Sequence, residues 1–551
     1  MTSQQHLTGT GFAELIRSGH ARLQQMVGVV NALNVFPVPD GDTGTNMEMS
    51  LASGVAQLEN SSDKKLCDIT QAFASGLLMG ARGNSGVILS QLFRGFAKVT
   101  QNLTEMDVLV FAKALHEGVQ IAYRAVAKPV EGTILTVARE AAAAGLREAK
   151  KHPDFAEWMH HVHAAAARAL AHTPEQLPVL KQAGVVDSGG QGLVFIFEGF
   201  YQWLKGEPYS IERMETVDSA LKLDFAGAHI DHHGEFGYCT EALIRIESGN
   251  SEDAQASLQS TLSQYGDSLL VVGTDELVKV HVHTLHPGRV LEDALAFGPL
   301  VKIKIDNMTE QHAHLPEARS EHVEDVAQSA PVRRKPLATV AVAAGDGLSE
   351  IFSSLGVDVV LAGGQTLNPS TEEIVSAIRS AHSDHVIVLP NNKNIVLAAQ
   401  QAKEVLGSTV HVVPTTTVPE GIAAMMAFHG DASVDQNVAR MTEAIELVHS
   451  GLVVRAVRDS VFQDRQIRAN QYLGFDRQQL VYVGDSRDEA VMDVVREMGS
   501  ADAELLTVFY GHDVPEDELH RLVTQIERQF DLEVELKYGG QPVYDYILSL
   551  E

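Results

Sequence analysis

Up to about residue 205 the chain shows almost no alternation of β-branched with polar residues, and that absence confines this part of it to helices. From Phe12 to Leu33 the apolar residues Phe12, Leu15, Ile16, Leu23, Met26, Val27, Val30 and Leu33 recur at helical spacing. Residues 66–80, 84–100, 105–127, 133–150 and 154–172 read as further helices, many of them rich in Ala. Small side chains let helix axes approach closely. Residues 1–205 are therefore expected to form an all-α domain, a bundle or a closed helical barrel.

A polar connection that includes Asp224-Phe-Ala-Gly-Ala-His-Ile-Asp-His-His-Gly-Glu-Phe-Gly237 marks a boundary. Beyond it, strands at 238–247, 268–272, 277–284 and 299–306 and helices at 252–265 and 288–297 give the order βαββαβ. Residues 236–308 are thus expected to be a small α+β ferredoxin-like domain. Residues 309–336, without a period and ending in Pro331-Val-Arg-Arg-Lys-Pro336, read as a linker whose basic run keeps it solvated. From 337 to 551 β-rich runs such as Thr339-Val-Ala-Val-Ala343 and His385-Val-Ile-Val-Leu389 alternate with helices, an α/β pattern that predicts mostly parallel strands. At 551 residues the chain is too long for one core, in line with this multidomain division.

Two carboxylates, Asp40 and Asp42, flank one glycine in Asn34-Val-Phe-Pro-Val-Pro-Asp-Gly-Asp-Thr-Gly-Thr-Asn-Met47, a loop stiffened by Pro37 and Pro39. Hard oxygen ligands this close suit Mg²⁺, which is usually held by one or two carboxylates plus phosphates. Gly41 and Gly44 let the backbone approach a bound group. Thr43 or Thr45 is placed to cap a helix through Met47, Met49, Leu51 and Val55, with its orphan N–H groups facing that group. The combination suits a nucleotide-phosphate site. An Asx-rich turn that merely starts a helix would use the same residues.

Three more glycine-containing turns precede helices. They are Gly80-Ala-Arg-Gly-Asn-Ser-Gly86, with Gly83, Asn84 and Ser85; Lys128-Pro-Val-Glu-Gly-Thr133, with Gly132 and Thr133; and Gly184-Val-Val-Asp-Ser-Gly-Gly-Gln-Gly192, with Asp187, Ser188 and Gly189. Singly, each is ordinary helix punctuation; together with the Asp pair they are candidates to line one anionic ligand. No Gly-x-x-x-x-Gly-Lys-Ser/Thr string occurs, so ATP use would not be of the P-loop kind.

On the third strand of the middle domain, Lys279-Val-His-Val-His283 puts His281 and His283 at one face and Val280 and Val282 at the other. Strand pairing could bring Cys239 beside the two histidines, and Cys with His-x-His makes a three-ligand Zn²⁺ set with an open fourth position. The alternative is the polar face of a half-exposed strand, with Cys239 a small buried hydrophobe.

A formal charge of −30 leaves no basic footprint for nucleic acid; it would suit a basic protein partner, and acidity also serves solubility. Cys67 and Cys239 give no disulfide framework and fit a reducing compartment. With no basic-then-apolar segment near Met1 and no apolar run of spanning length, a cytoplasmic location is expected.

The wording from Leu33 to Met47 resembles the nucleotide-binding L subunit of dihydroxyacetone kinase and, more closely, the A-type subunit of fatty acid kinase. The three glycine turns look like those of the same fatty acid kinase component. Tyr238-Cys-Thr-Glu241 and Val278-Lys-Val-His-Val-His-Thr284 look like its middle domain, and the C-terminal region resembles its end, a relative of the DegV-type fold. The resemblance spans essentially the whole chain. It implies an ATP-dependent kinase subunit that phosphorylates a fatty acid held by a separate fatty-acid-binding B protein, giving acyl phosphate for phospholipid synthesis. By that resemblance Thr43, Gly44, Thr45, Asn46, Gly83, Asn84, Ser85, Gly132, Thr133, Asp187, Ser188 and Gly189 line the nucleotide. Asp40 and Asp42 hold Mg²⁺ and are, with Thr43, the expected catalytic residues, while Cys239, His281 and His283 hold Zn²⁺; His286, His232 and His233 are candidates for its fourth ligand. Dihydroxyacetone kinases carry a third metal-binding Asp upstream of the pair and a His directly after it; here Asn34, one residue further away, and Thr43 stand instead. A homodimer is implied, and the acidic stretches Asp513-Val-Pro-Glu-Asp-Glu-Leu519 and Asp531-Leu-Glu-Val-Glu535 are expected to dock the lipid-carrying partner. A kinase for a hydroxyl acceptor and a non-catalytic nucleotide-binding scaffold are the other classes that these motifs allow.

Overall fold

The periodic stretch after Gly9 becomes two helices, α1 (Gly9–Gln25) and α2 (Val27–Leu33), broken at Met26, whose backbone leaves the helical region. The computed structural model describes residues 5–34, 41–59, 65–126, 128–209, 238–245, 257–258, 261–262, 265–273, 277–307, 335–364, 368–456, 459–462, 465–477, 479–499 and 503–550. They fall in two compact units, residues 1–214 with 332–551, and residues 215–331.

In the first unit the helical region continues with α3 (Thr43–Glu59), α4 (Leu66–Met79), α5 (Gly83–Val99), α6 (Val108–Ala125), α7 (Ile134–Glu148) and α8 (Phe155–Ala171). The short helices α9 (Thr173–Gln176) and α10 (Pro178–Ala183) then lead into α11 (Ser188–Leu204). Two-residue strands β1 (Leu7–Thr8) and β2 (Glu105–Met106) pair beside them. Side chains fix several starts: Asp107 accepts from the Val110 N–H, Asp154 from those of Ala156 and Glu157, and Asp187 from that of Gly190. From α3 to α8 each helix packs on the next; α8 then packs on α11, α11 on α1 and α1 on α3. Their shared core is aromatic. Phe12, Phe73, Phe93, Phe96, Phe111 and Trp158 meet in edge-to-face and tilted pairs with ring centres 4.8–6.3 Å apart. The buried Trp158 indole donates to the Gly145 carbonyl at 2.8 Å, so its one polar atom is satisfied.

The α/β region of the same unit opens with strand–helix alternation. Between it and the helical region in sequence, the second unit carries β3 (Tyr238–Arg245), β4 (Gly266–Gly273), β5 (Leu277–Thr284) and β6 (Leu300–Asn307), with α12 (Pro287–Leu295). The α/β region then runs β7 (Lys335–Ala343), α13 (Asp346–Ser354), β8 (Val359–Ala362), α14 (Thr371–Ser380), β9 (Ser383–Leu389), α15 (Val396–Leu406) and β10 (Val410–Val412). These four strands form a parallel sheet in the order β10-β9-β7-β8, as the alternation predicts. Ala81 and Val87, at the start of α5, share a buried cluster with Ile374, Ile378, Ala398 and Ala399 of α14 and α15, joining the helical region to this sheet's helices.

The second half departs from the expectation of mostly parallel strands. After α16 (Val418–Met426) and α17 (Val434–Leu447) come β11 (His449–Arg455), the hairpin β12 (Ser460–Phe462) and β13 (Arg465–Ile467), then β14 (Tyr472–Asp476) and β15 (Gln479–Gly484). Helix α18 (Arg487–Met498), β16 (Leu505–Tyr510), α19 (Glu516–Phe530), β17 (Glu533–Tyr538) and β18 (Tyr544–Leu550) complete the chain. The six-stranded sheet has the order β15-β14-β11-β18-β16-β17, antiparallel everywhere but β16–β17. Its β14–β15 hairpin turns between Asp476 and Gln479 with Arg477 at φ 51°, a left-handed position filled without Gly or Asn, so no turn signal marks it in the sequence.

In the second unit the sheet order is β4-β5-β3-β6, all antiparallel. Alternation along β5 buries Val278, Val280 and Val282 against Ile244, Val290 and Ala294.

Candidate functional site

The helix after the Asp loop starts at Thr43, so Asp42, and neither Thr43 nor Thr45, stands at its cap position. The Asn46 N–H donates to the Asp42 carbonyl at 2.8 Å. The sequence leads one to expect orphaned first-turn N–H groups facing a ligand, but two of them are already engaged. Asn31, on α2, accepts from the Gly44 N–H at 2.7 Å and the Thr45 N–H at 3.2 Å through Oδ1, and its Nδ2 donates to Thr45 Oγ1 at 3.0 Å. Gly44 is required there by space, because a Cβ would lie 2.6 Å from the Val27 carbonyl oxygen and 2.8 Å from Asn31 Oδ1. Asn34, 2% exposed, closes α2. Asp40 lies outside the described residues.

Two of the other starts meet this one directly, and the third reaches it through α11. Ser188 Oγ, at the head of α11, donates to Thr43 Oγ1 at 3.3 Å, and both residues are buried. Gly83, with φ 57°, lies against Asn46, where a Cβ would be 2.7 Å from Nδ2. Asp187 accepts from the Gly190 N–H at 2.7 Å and from the Ile134 N–H, so one carboxylate ties the start of α11 to that of α7. Burial pushes its pKa up to about 6 against the pull of those two donors. Thr133 stands at the cap position of α7, yet its hydroxyl donates back to the Val130 carbonyl at 2.8 Å. The Gly132 N–H donates to Thr136 Oγ1. Gly189 packs on Ile134, Ser85 and Thr45 are half-buried, and Asn84 Nδ2 reaches Asn394 Oδ1 at 3.5 Å. Three helix N-termini, those of α3, α5 and α11, thus meet around the Thr43–Asn46 segment, with that of α7 tied to α11 through Asp187, and their partial positive charges favour a shared anion.

Sequence reasoning missed several residues here. Ser50 Oγ donates to the Asn46 carbonyl at 2.6 Å and accepts from the Arg82 N–H at 3.0 Å, locking α3 to the turn before α5. Arg82 Nη1 donates to the Asn368 carbonyl at 2.8 Å and pairs with Glu373 at 2.9 Å. Asn368 Nδ2 in turn donates to Asp42 Oδ2 at 2.7 Å. The signal that could have located this loop is Ser370-Thr-Glu-Glu373, which forms a capping box at the head of α14.

In the second unit the register places Cys239 directly opposite His283, and His281 opposite Glu241. Asp267 of β4 lies opposite His283 on its other side, and Asp306 of β6 opposite Cys239. The side chains of Cys239, His281 and His283, like His232 and His233, lie outside the described residues. His286, exposed, opens α12. Among the described residues no group of three or more His, Cys, Asp or Glu is placed to hold a metal ion, and no helix is long and apolar enough to cross a membrane.

A helical region with converging helix starts, joined to parallel and antiparallel sheets with their helices, defines a multidomain protein, and comparison with known proteins bears on its family. Residues 37–202 match the DAK2 domain, 235–315 the FakA-like middle domain of fatty acid kinase, and 338–551 the FakA-like C-terminal domain of fatty acid kinase. Protein YloV of Bacillus subtilis is 43% identical over 551 residues, covering 99% of both chains. Uncharacterized proteins of Staphylococcus haemolyticus and Staphylococcus aureus are each 40% identical, again over 99% of both chains. A DegV family protein of Corynebacterium glutamicum overlays 39% of this chain and 97% of its own at 9% identity, with a TM-score of 0.29, a likeness too slight to carry an argument. The chain belongs to the FakA-like family, that of the A-type subunits of fatty acid kinase.

Proposed function

We propose that this chain is the ATP-dependent subunit of a fatty acid kinase. It transfers the γ-phosphoryl group to the carboxylate of a fatty acid presented by a separate fatty-acid-binding protein. The observation that carries this reading is the meeting of the α3, α5 and α11 N-termini around Thr43 and Asn46, beside the Asp42 carboxylate and with the α7 start tied in through Asp187. The acceptor carboxylate is ionised at neutral pH, so its oxygen attacks the γ-phosphorus while the bond to the β-phosphate oxygen breaks. Acyl phosphate and ADP form with no proton to remove, and no general base is needed. The product would feed phospholipid synthesis.

Thr43, Gly44, Thr45, Asn46, Gly83, Asn84, Ser85, Gly132, Thr133, Asp187, Ser188 and Gly189 line the nucleotide in this reading, and helix-start N–H groups that are not already engaged steady the transferring charge. Asp40 and Asp42, with Asn34 as a third ligand, would hold Mg²⁺. The donor set fits a hard cation, and the ion would neutralise charge on the phosphates. Cys239, His281 and His283 would hold Zn²⁺ in the middle domain, where the opposed register of Cys239 and His283 supports the pairing. We also infer that the helices close into a barrel, that the middle unit is ferredoxin-like, that the C-terminal region is DegV-like and docks the partner, and that the protein is a cytoplasmic homodimer. The test is ATP consumption by the purified chain with Mg²⁺ and oleate, with and without a fatty-acid-binding protein from the same source. Turnover that needs both lipid and partner is expected. Turnover with dihydroxyacetone, or none with any acceptor, would overturn the reading.

A further inference from the structure

Asp42 and Asn368 are 326 residues apart, yet the Asn368 side-chain amide donates to Asp42 Oδ2 at 2.7 Å. The residue that supplies this donor belongs to the loop after β8, at the C-terminal end of the parallel sheet, where ligands of such sheets bind. It is 1% exposed and is held from both sides. Arg82 Nη1 grips its carbonyl oxygen at 2.8 Å and pairs with Glu373 at 2.9 Å, and the Thr371 N–H donates to the Ala81 carbonyl at 3.1 Å. The capping box of Ser370 and Glu373 makes the next residues a rigid helix start. Away from the loop, Gln91 donates to Gln401 and Arg94 pairs with Glu404, so the two regions are docked along the length of α5.

A second observation points to a ligand. Asn368 Oδ1 is buried and has no hydrogen-bond partner among the described residues. A buried carbonyl left this way is costly, and native structures seldom leave one without a reason. A donor in front of Oδ1, next to a carboxylate, describes a water bound to a cation, since Mg²⁺ keeps several waters when it binds through carboxylates.

We propose that Asn368 is a positioning residue for the cation–phosphate site, so that this site is composite, its carboxylate supplied by the helical region and its orienting amide by the α/β region. Nδ2 fixes the rotation of the Asp42 carboxylate. Oδ1 accepts from a water of the bound cation, the kind of outer-shell contact that typically changes metal affinity 10–100-fold. The inference rests on the nucleotide-binding reading above and names one residue that the reading does not require.

The experiment titrates Mg²⁺ into the full-length protein with ADP, following nucleotide binding by calorimetry, for the wild type, Asn368→Ala and Gln401→Ala. Asn368→Ala is expected to raise the Mg²⁺ concentration for half-maximal ADP binding roughly tenfold, with ADP binding in EDTA unchanged. Gln401→Ala, which weakens the same docking without touching Asp42, is expected to leave the Mg²⁺ midpoint within about twofold. Equal midpoints for wild type and Asn368→Ala, or an equal shift in Gln401→Ala, would overturn the proposal. Asn368→Asp guards against a variant that simply folds badly. A second carboxylate against Asp42 lowers Tm without Mg²⁺, and Mg²⁺ then raises Tm by more than it does in the wild type; a Tm response to Mg²⁺ equal to wild type counts against the proposal. A wild type that shows no Mg²⁺-dependent ADP binding sinks the functional reading itself, and this one with it.

Discussion

The two candidate ligand sites are built by opposite means. In the middle unit, Cys239 and His283 are brought opposite each other by strand register, a property fixed by the pairing of two eight-residue strands. Around Asp42, by contrast, each contributing residue comes from a different helix start or loop, and the site exists because caps and packing make those starts converge. A register site is local and either forms whole or slips whole. A convergent site is assembled from many small contacts and can be detuned one contact at a time.

The sharpest way to test this contrast is to remove the centre of the convergent site. Asp42→Ala is expected to lower phosphoryl transfer by at least about 10³-fold while the aromatic core keeps the helical region folded; near-normal turnover measured beside an unchanged circular dichroism spectrum would take Asp42 out of the mechanism. The register site should fail differently. His283→Ala is expected to drop bound zinc, measured by mass spectrometry of metals, from near one per chain to background, with no graded intermediate. Equal zinc in variant and wild type would dissolve the contrast.

Smaller effects grade the convergent site. Asn31→Ala uncovers the Gly44 and Thr45 N–H groups and should cost on the order of 1–2 kcal/mol in urea unfolding, with ADP binding weakened as well. Loss of stability without loss of affinity would make Asn31 a cap and nothing more. Asp187 gives a pH signature. Its folded pKa, about 6, is raised above the ordinary 3.8 by burial, so the folded state holds that proton more tightly than the unfolded chain. The stability it contributes is present below about pH 4 and lost as pH rises through about 6, on the order of 2–3 kcal/mol. Asp187→Asn should therefore gain on the wild type as pH is raised from 4 to 7. Parallel stability curves for the two proteins would show that the carboxyl does not titrate as described.

What the sequence disclosed follows the same division. The His-x-His strand was legible because period-2 alternation dictates which residues share a face, and the four glycine turns because helix punctuation is written in local residue types. Helices α4, α5, α7 and α8 lie within a few residues of their expected bounds for the same reason. The antiparallel sheet was not legible, since its β14–β15 turn uses Arg477 where a Gly would have announced it, and β18 enters between β11 and β16 through pairings that no local signal encodes. Asn31 and Asn368 were missed for a related reason. An asparagine carries no sign of its partner until two distant segments meet.

The bond between Asp42 and Asn368 also sets an order of events in the making of the protein. A ribosome adding roughly 5–20 residues per second needs about 15–65 s to travel the 326 residues between them. The helical region, whose core lies wholly before residue 205, has ample time to collapse in that interval. Each newly made chain therefore holds a finished scaffold around Asp42 well before the amide that orients it has been synthesised.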